Sequence, residues 1–211
     1  RAAAFMACGM AEETGEAVVL SCTGATASRN YIPGLTEAYY KKLPVLAVTS
    51  TQHTGKAGSY SAQFIDRSQQ FTDMVKLSVQ SDVVFTKEAE EFQVNAINNA
   101  ILELFHNEPG PVHINLATTF SNDFSIKKLP NYRVVKRLRP HDDFPELTKK
   151  KIGVFIGAHE VFDSEITEVI DSFCASHNAI VLCDQTSNYR GKHRVLASLI
   201  NSQLFFSEST I

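Results

Sequence analysis

The chain has 211 residues, 44% of them hydrophobic and 20% charged, with 20 Lys+Arg against 23 Asp+Glu. That apolar content fills a globular core and excludes intrinsic disorder, and the length allows one or two domains. A net charge of −3 excludes a general pull toward nucleic acid or anionic membrane, and apolar runs such as Ala17-Val18-Val19-Leu20 are far too short to span a bilayer.

Residues 1–14 read as the interior of a helix, with Ala2, Ala3, Phe5, Met6, Met10 and Ala11 in a helical pattern and Gly15 as its stop. No cap and no leading strand precede them, which predicts a chain that begins inside a domain. Ala17 to Ser21 is a short β-branched run and predicts a buried strand. A small-residue turn follows over 22–28, then a helix over 30–42 with Pro33 in its first turn. Val45 to Thr49 predicts a second buried strand and 51–61 a polar loop. Gln63 to Phe71 reads as a short helix, and Met74 to Val79 as a strand. Lys87 to Phe105 predicts a long helix with Phe92, Ala96, Ala100 and Leu104 on one face, and Pro111 to Leu116 another strand.

Strands alternating with helices predict an α/β, three-layer, doubly wound fold with a mainly parallel sheet. Residues 121–150 break the rhythm with Pro130, Pro140, Pro145 and basic clusters at 127–128, 136–137 and 149–151, and read as a solvated linker. A strand over 151–157, a helix over 162–177 with Ile166, Val169, Ile170 and Phe173 on one face, and a strand over 179–184 then open a second, partial α/β domain. Too few residues follow to close a sheet, so the expectation is a cut at both ends.

The four cysteines, at 8, 22, 174 and 183, sit among apolar or small residues without C-x2-C spacing. They read as reduced core thiols of a cytoplasmic protein. Gly153 and Gly157 do not make a G-x-G-x-x-G turn, and the seven histidines form no i, i+4 metal pair. His113, inside a strand, reads as a satisfied core or interface histidine; Asp66, Arg67 and Glu88 to Glu91 read as solvated charges. The 22–30 turn leaves two readings open. It is either a tight βα loop that needs small residues, or a place where a flat ring approaches the backbone at the carboxyl end of a strand.

Taken in order, residues 1–15, the strand Ala17–Ser21, the Thr23-to-Asn30 turn, Leu43-Pro44-Val45 and Gly110-Pro111-Val112-His113-Ile114-Asn115-Leu116 resemble the pyrimidine-binding domain of thiamine-diphosphate enzymes. The similarity is greatest to acetolactate synthases and to the menaquinone-pathway carboligases that condense 2-oxoglutarate with isochorismate, above all at Asn30-Tyr31-Ile32-Pro33-Gly34-Leu35-Thr36-Glu37-Ala38. The resemblance implies a pyrimidine-binding domain over 1–120 lacking its N-terminus, a linker over 121–150, and the truncated start of the central domain over 151–211. It implies a 2-oxo acid decarboxylase or carboligase, a lyase or transferase, whose cofactor acts as the electron sink.

In such enzymes a glutamate contacts the aminopyrimidine and promotes deprotonation of the thiazolium carbon. Here it would fall immediately before Arg1, so no catalytic residue is assigned within the chain. The cofactor-binding positions implied are Thr23, Gly24, Ala25 and Thr26 in the loop, Asn30 at the helix start, and Gln63 after the next strand. Where the menaquinone-type enzymes place an arginine near substrate, this sequence has Gln52, which argues against that exact substrate. No Gly-Asp dipeptide occurs, so no Mg2+ ligand is assigned. The full-length protein is expected to bind thiamine diphosphate with Mg2+, and this chain alone none. The expected partners are a second copy or a pyrophosphate domain, forming a homo-oligomer, and a small 2-oxo acid; neither nucleic acid nor membrane is expected. Two other readings stand beside this one: a non-catalytic or separate subunit that pairs with a pyrophosphate-domain chain, and an unrelated α/β small-molecule binding module.

Overall fold

In the computed structural model, residues 1–56, 58–147 and 151–196 are described. They divide into two units, Arg1–Pro140 and His141–Ile211. In the first, α1 (Ala2–Thr14), β1 (Val18–Thr23), α2 (Ala25–Arg29), α3 (Ile32–Tyr40), β2 (Val45–Thr51), β3 (Leu77–Ser81), α4 (Lys87–Glu103) and β4 (Val112–Ala117) follow in chain order. The four strands are parallel and lie in the order β1-β2-β4-β3. Helices cover both faces, which makes the predicted three-layer α/β fold.

On one face, α1 and α3 bury Ala4, Ala7, Ala11, Leu35 and Ala38 against Leu20, Val45 and Ala47. On the other, α4 packs Ala100, Leu104 and Ile97 over Leu46, Val48, Val112 and Ile114. α1 ends at Gly15, which adopts φ 69° and donates its N–H to the Ala11 carbonyl at 2.9 Å. α4 starts at a Thr86 cap that accepts from the Ala89 N–H, with Glu88 and Glu90 in its first turn. Its last turn is closed by Lys76, whose Nζ donates to the carbonyls of Glu103, His106 and Glu108 at 2.7–2.8 Å.

Several expectations need correction. Residues 63–71 are not helical: Gln63 takes φ 57°, and Asp66 Oδ1 captures the Ser68 N–H at 2.9 Å in a local turn that competes with a helix. A short helix, α2, forms inside the expected turn, and β3 starts at Leu77 rather than Met74. Phe92 is 68% exposed, because a row of i+4 steps winds around a helix of 3.6 residues per turn; Ile97, Ala100 and Leu104 form the buried stripe instead. The stretch read as a solvated linker lies partly along α4. The Asn98 side chain accepts from the Val135 N–H at 2.9 Å and donates to the Arg133 carbonyl at 3.0 Å.

The second unit carries β5 (Ile152–Ile156), α5 (Ser164–His177), β6 (Ala179–Cys183) and β7 (Arg194–Leu196), parallel and in the order β5-β6-β7. Asp163 caps α5 through the Ile166 N–H at 2.7 Å, and Asn178 ends it at φ 50°. Ile170, Phe173 and Cys174 face the sheet, while Ile166 and Val169, expected with them, are exposed. The three-residue β7 has no sequence signal of its own. Residues 148–150 of the expected linker and 197–211 of the expected central domain lie outside the described residues. No described helix is long and apolar enough to cross a membrane.

The α1/α3 face of the first sheet turns polar toward β4 and β3. Ser78 and His113 are register partners, as are Thr49 and Asn115, and Gln80 and Asn115. Asn115 Nδ2 donates to Gln80 Oε1 at 2.6 Å, and Thr49 Oγ1 donates to Asn115 Oδ1 at 3.1 Å. The Thr49 hydroxyl has then spent its proton, so the 2.8 Å contact with His113 Nε2 requires an Nε2–H donor. His113 Nδ1 accepts from Ser78 Oγ at 2.8 Å. The ring is 2% exposed, and burial, with the Arg67 charge adding to it, holds its pKa at about 4.

Two predictions follow from this packing. A Cβ on Gly34 would meet the Ala4 Cβ at 2.5 Å, whereas one on Gly9 meets nothing within 4 Å. Gly34→Ala is expected to destabilise by about 1–3 kcal/mol of overpacking less the helix-propensity gain, and Gly9→Ala to stabilise by about 0.5–1 kcal/mol, read as urea midpoints. The unfolded histidine titrates near 6.5 and the folded one at about 4. The unfolded chain therefore takes up the proton first. Stability from the neutral ring is full above 6.5, declines as pH falls through that window, and levels off below about 4 after a loss of about 3 kcal/mol. His113→Gln is expected to flatten that segment of the stability–pH curve.

Candidate functional site

The carboxyl ends of β1 and β2 carry two loops that meet. Thr23 ends β1 opposite Ser50. The chain then turns at Gly24, which holds φ 71° and ψ 163° before α2 begins at Ala25. This backbone needs glycine, and a Cβ there would also sit 3.2 Å from Gln63 Oε1. That same oxygen accepts from the Thr26 N–H and from Thr26 Oγ1, both at 3.3 Å. Asn30 Nδ2 donates to the Thr26 carbonyl at 3.1 Å, and Ser28 Oγ to the Ala25 carbonyl at 2.8 Å. Thus Thr26, Asn30 and Gln63 form one hydrogen-bonded cluster, with Gly24 and Ala25 beside it and Thr23 at its edge.

Arg67 underlies this cluster. Sequence reasoning placed it in solvent beside Asp66, yet it is 2% exposed. One guanidinium nitrogen donates to the Gly24 carbonyl at 2.9 Å and another to the Ser50 carbonyl. The side chain thereby ties the end of β1 to the end of β2. Its pKa is lowered by burial, with the Cys22 thiol opposing and Arg29 adding repulsion. Burial in turn raises the Cys22 thiol. The helical reading of 63–71 concealed this arginine, since it put Arg67 on a solvated turn. Nearby, Gln52 accepts from Lys56 Nζ at 2.7 Å.

Small side chains at 24–27 flank the Thr26 hydroxyl and the Gln63 amide, an edge of donors and acceptors without bulky neighbours in the loop. Such an edge suits a planar heteroaromatic ring bearing both kinds of group.

Residues 1–75 match the family described as thiamine pyrophosphate enzyme, N-terminal TPP binding domain. Among curated proteins, the chain is similar to the 2-succinyl-5-enolpyruvyl-6-hydroxy-3-cyclohexene-1-carboxylate synthase of Phocaeicola vulgatus, at 34% identity over 155 residues, 71% of this chain and 28% of that protein. The synthase of the same name from Bacteroides thetaiotaomicron is 32% identical over 138 residues, 65% of this chain and 25% of that protein. That from Oceanobacillus iheyensis is 26% identical over 213 residues, 92% of this chain and 36% of that protein. The chain thus spans only about a quarter to a third of the length of these relatives. With the parallel sheet of the first unit, the N-terminal match shows that this chain belongs to the thiamine-diphosphate enzyme family, with a pyrimidine-binding domain in its N-terminal part.

Proposed function

We propose that this chain supplies the pyrimidine side of a thiamine-diphosphate site in a 2-oxo acid decarboxylase or carboligase. The observation that carries this reading is the Gly24–Thr26–Gln63 cluster. There, a glycine at positive φ, a threonine hydroxyl and a glutamine amide converge beyond a strand end. The residues fit a pyrimidine ring: absence of a Cβ at Gly24 keeps the approach open, and the Gln63 amide and Thr26 hydroxyl offer polar contacts at its edge. Thiamine diphosphate, when bound, supplies the electron sink for decarboxylation. In this reading Gln63 and Thr26 orient the ring, Asn30 steadies the Thr26 carbonyl, and Arg67 holds the loop in place.

The diphosphate and its Mg2+ fall to a pyrophosphate domain, in the same longer protein or a second chain. Phe5, Met6 and Met10 on α1 are 46–68% exposed and support a second copy covering that surface. Four free thiols fit a cytoplasmic setting. The relatives are named as synthases of a succinylated cyclohexene carboxylate. Gln52, already engaged by Lys56, stands where the menaquinone-type pattern expects an arginine, so the proposal extends to the reaction class and not to that substrate.

The test is turnover by the longer protein, including the residues that precede Arg1 and follow Ile211. With thiamine diphosphate and Mg2+ it is expected to release CO2 from at least one of a panel of 2-oxo acids. Gln63→Ala is expected to lower kcat/KM about tenfold, the loss of one hydrogen bond at the ring. Absence of turnover with every 2-oxo acid would overturn the reading.

A further inference from the structure

Beside the loop cluster lies a small, partly open cavity between α2, α3, β2 and β4. Its walls include Ser28, Arg29, Tyr31, Thr49, Arg67 and His113. It leaves about 10 Å³ for the centre of a water-sized sphere, which is room for one atom-sized guest. Arg67 lines this space; its Nε is buried without a hydrogen-bond partner, while its terminal nitrogens each donate one bond, to the Gly24 and Ser50 carbonyls. Carbonyl dipoles satisfy donors but do not neutralise a charge.

No acidic side chain is among the described residues that line the cavity. The groups nearest to acting as a counter-charge do not serve. The Cys22 thiol is raised above its ordinary value and stays protonated at neutral pH. His113 is neutral and points its Nε2–H at Thr49. Arg29 adds a second positive charge to the wall and repels Arg67. A guanidinium withdrawn from water without an anion is a costly arrangement.

We infer that this cavity is a monatomic-anion site, filled by chloride in solution and held by the Arg67 Nε–H. Size and charge select the guest together. Phosphate, sulfate and carboxylates are too large for the space, and a water would leave the guanidinium uncompensated. The inference does not rest on the proposed catalytic role, and its test does not read activity.

The experiment is thermal unfolding of the chain at constant ionic strength, with chloride exchanged stepwise for gluconate, which the cavity cannot admit. The midpoint is expected to rise with chloride, steeply up to its Kd and only logarithmically above it. Arg67→Met is expected to lose the chloride dependence. Should that variant fail to fold, diffraction from crystals of the unaltered chain soaked in bromide decides the matter. An anomalous peak within contact of Arg67 Nε supports the site. A midpoint indifferent to chloride, or density at Nε without anomalous signal, overturns it.

Discussion

A single buried guanidinium organises the carboxyl edge of this sheet. Parallel strands end in carbonyls that point along the sheet with no partner beyond it, and the two loops that follow would otherwise diverge. Arg67 gathers the Gly24 and Ser50 carbonyls into one fork. Because Gly24 is the pivot between β1 and α2, fixing its carbonyl fixes where Thr26 and Asn30 stand. Because Gln63 lies four residues before Arg67, the same anchor brings its amide within reach of Thr26. The site is assembled from two loops by a side chain that does not itself face the approach. An arginine suits this better than a lysine, since its planar fork reaches two acceptors at once.

The two faces of the sheet do different work. Apolar packing beneath α4 is non-directional. The opposite face is half apolar and half a row of hydrogen-bonded side chains running from Ser78 through His113, Thr49 and Asn115 to Gln80. A slip of one residue would turn that whole row into the α4 face. Burial without partners would then penalise each group. Apolar packing on both faces supplies stability, and the polar row on the second adds register.

Much of this was legible in the sequence. The β-branched runs at 17–21 and 45–49, the stop at Gly15 and the Pro-bounded strand at 111–116 all mark elements that local chemistry controls. The small-residue loop stands out by composition and Gln63 only by resemblance, and the fold brings them together. What escaped depends on contacts distant in sequence. Arg67 looks like any surface arginine until two strand ends are placed over it. Asn98 looks like a solvated helix position until the Arg133–Val135 backbone runs past it. Phe92 leaves the buried stripe for a different reason: steps of four drift around a helix of 3.6 residues per turn. Asp66 defeated the helix expected around it by bonding its own neighbour, a competition that composition does not reveal.

The polar row has a direction. Gln80 Nε2 donates onward to Asp82 Oδ1 at 3.1 Å. An ionised carboxylate can only accept, so Gln80 must present its nitrogen there and its oxygen to Asn115. Asn115 must then turn its own oxygen to Thr49, Thr49 must accept from the imidazole, and the imidazole must leave Nδ1 bare for Ser78. The tautomer of a wholly buried histidine is thus dictated by a partly exposed carboxylate at the other end of the row. Written as information rather than energy, one negative charge at the sheet's edge sets the orientation of every dipole behind it.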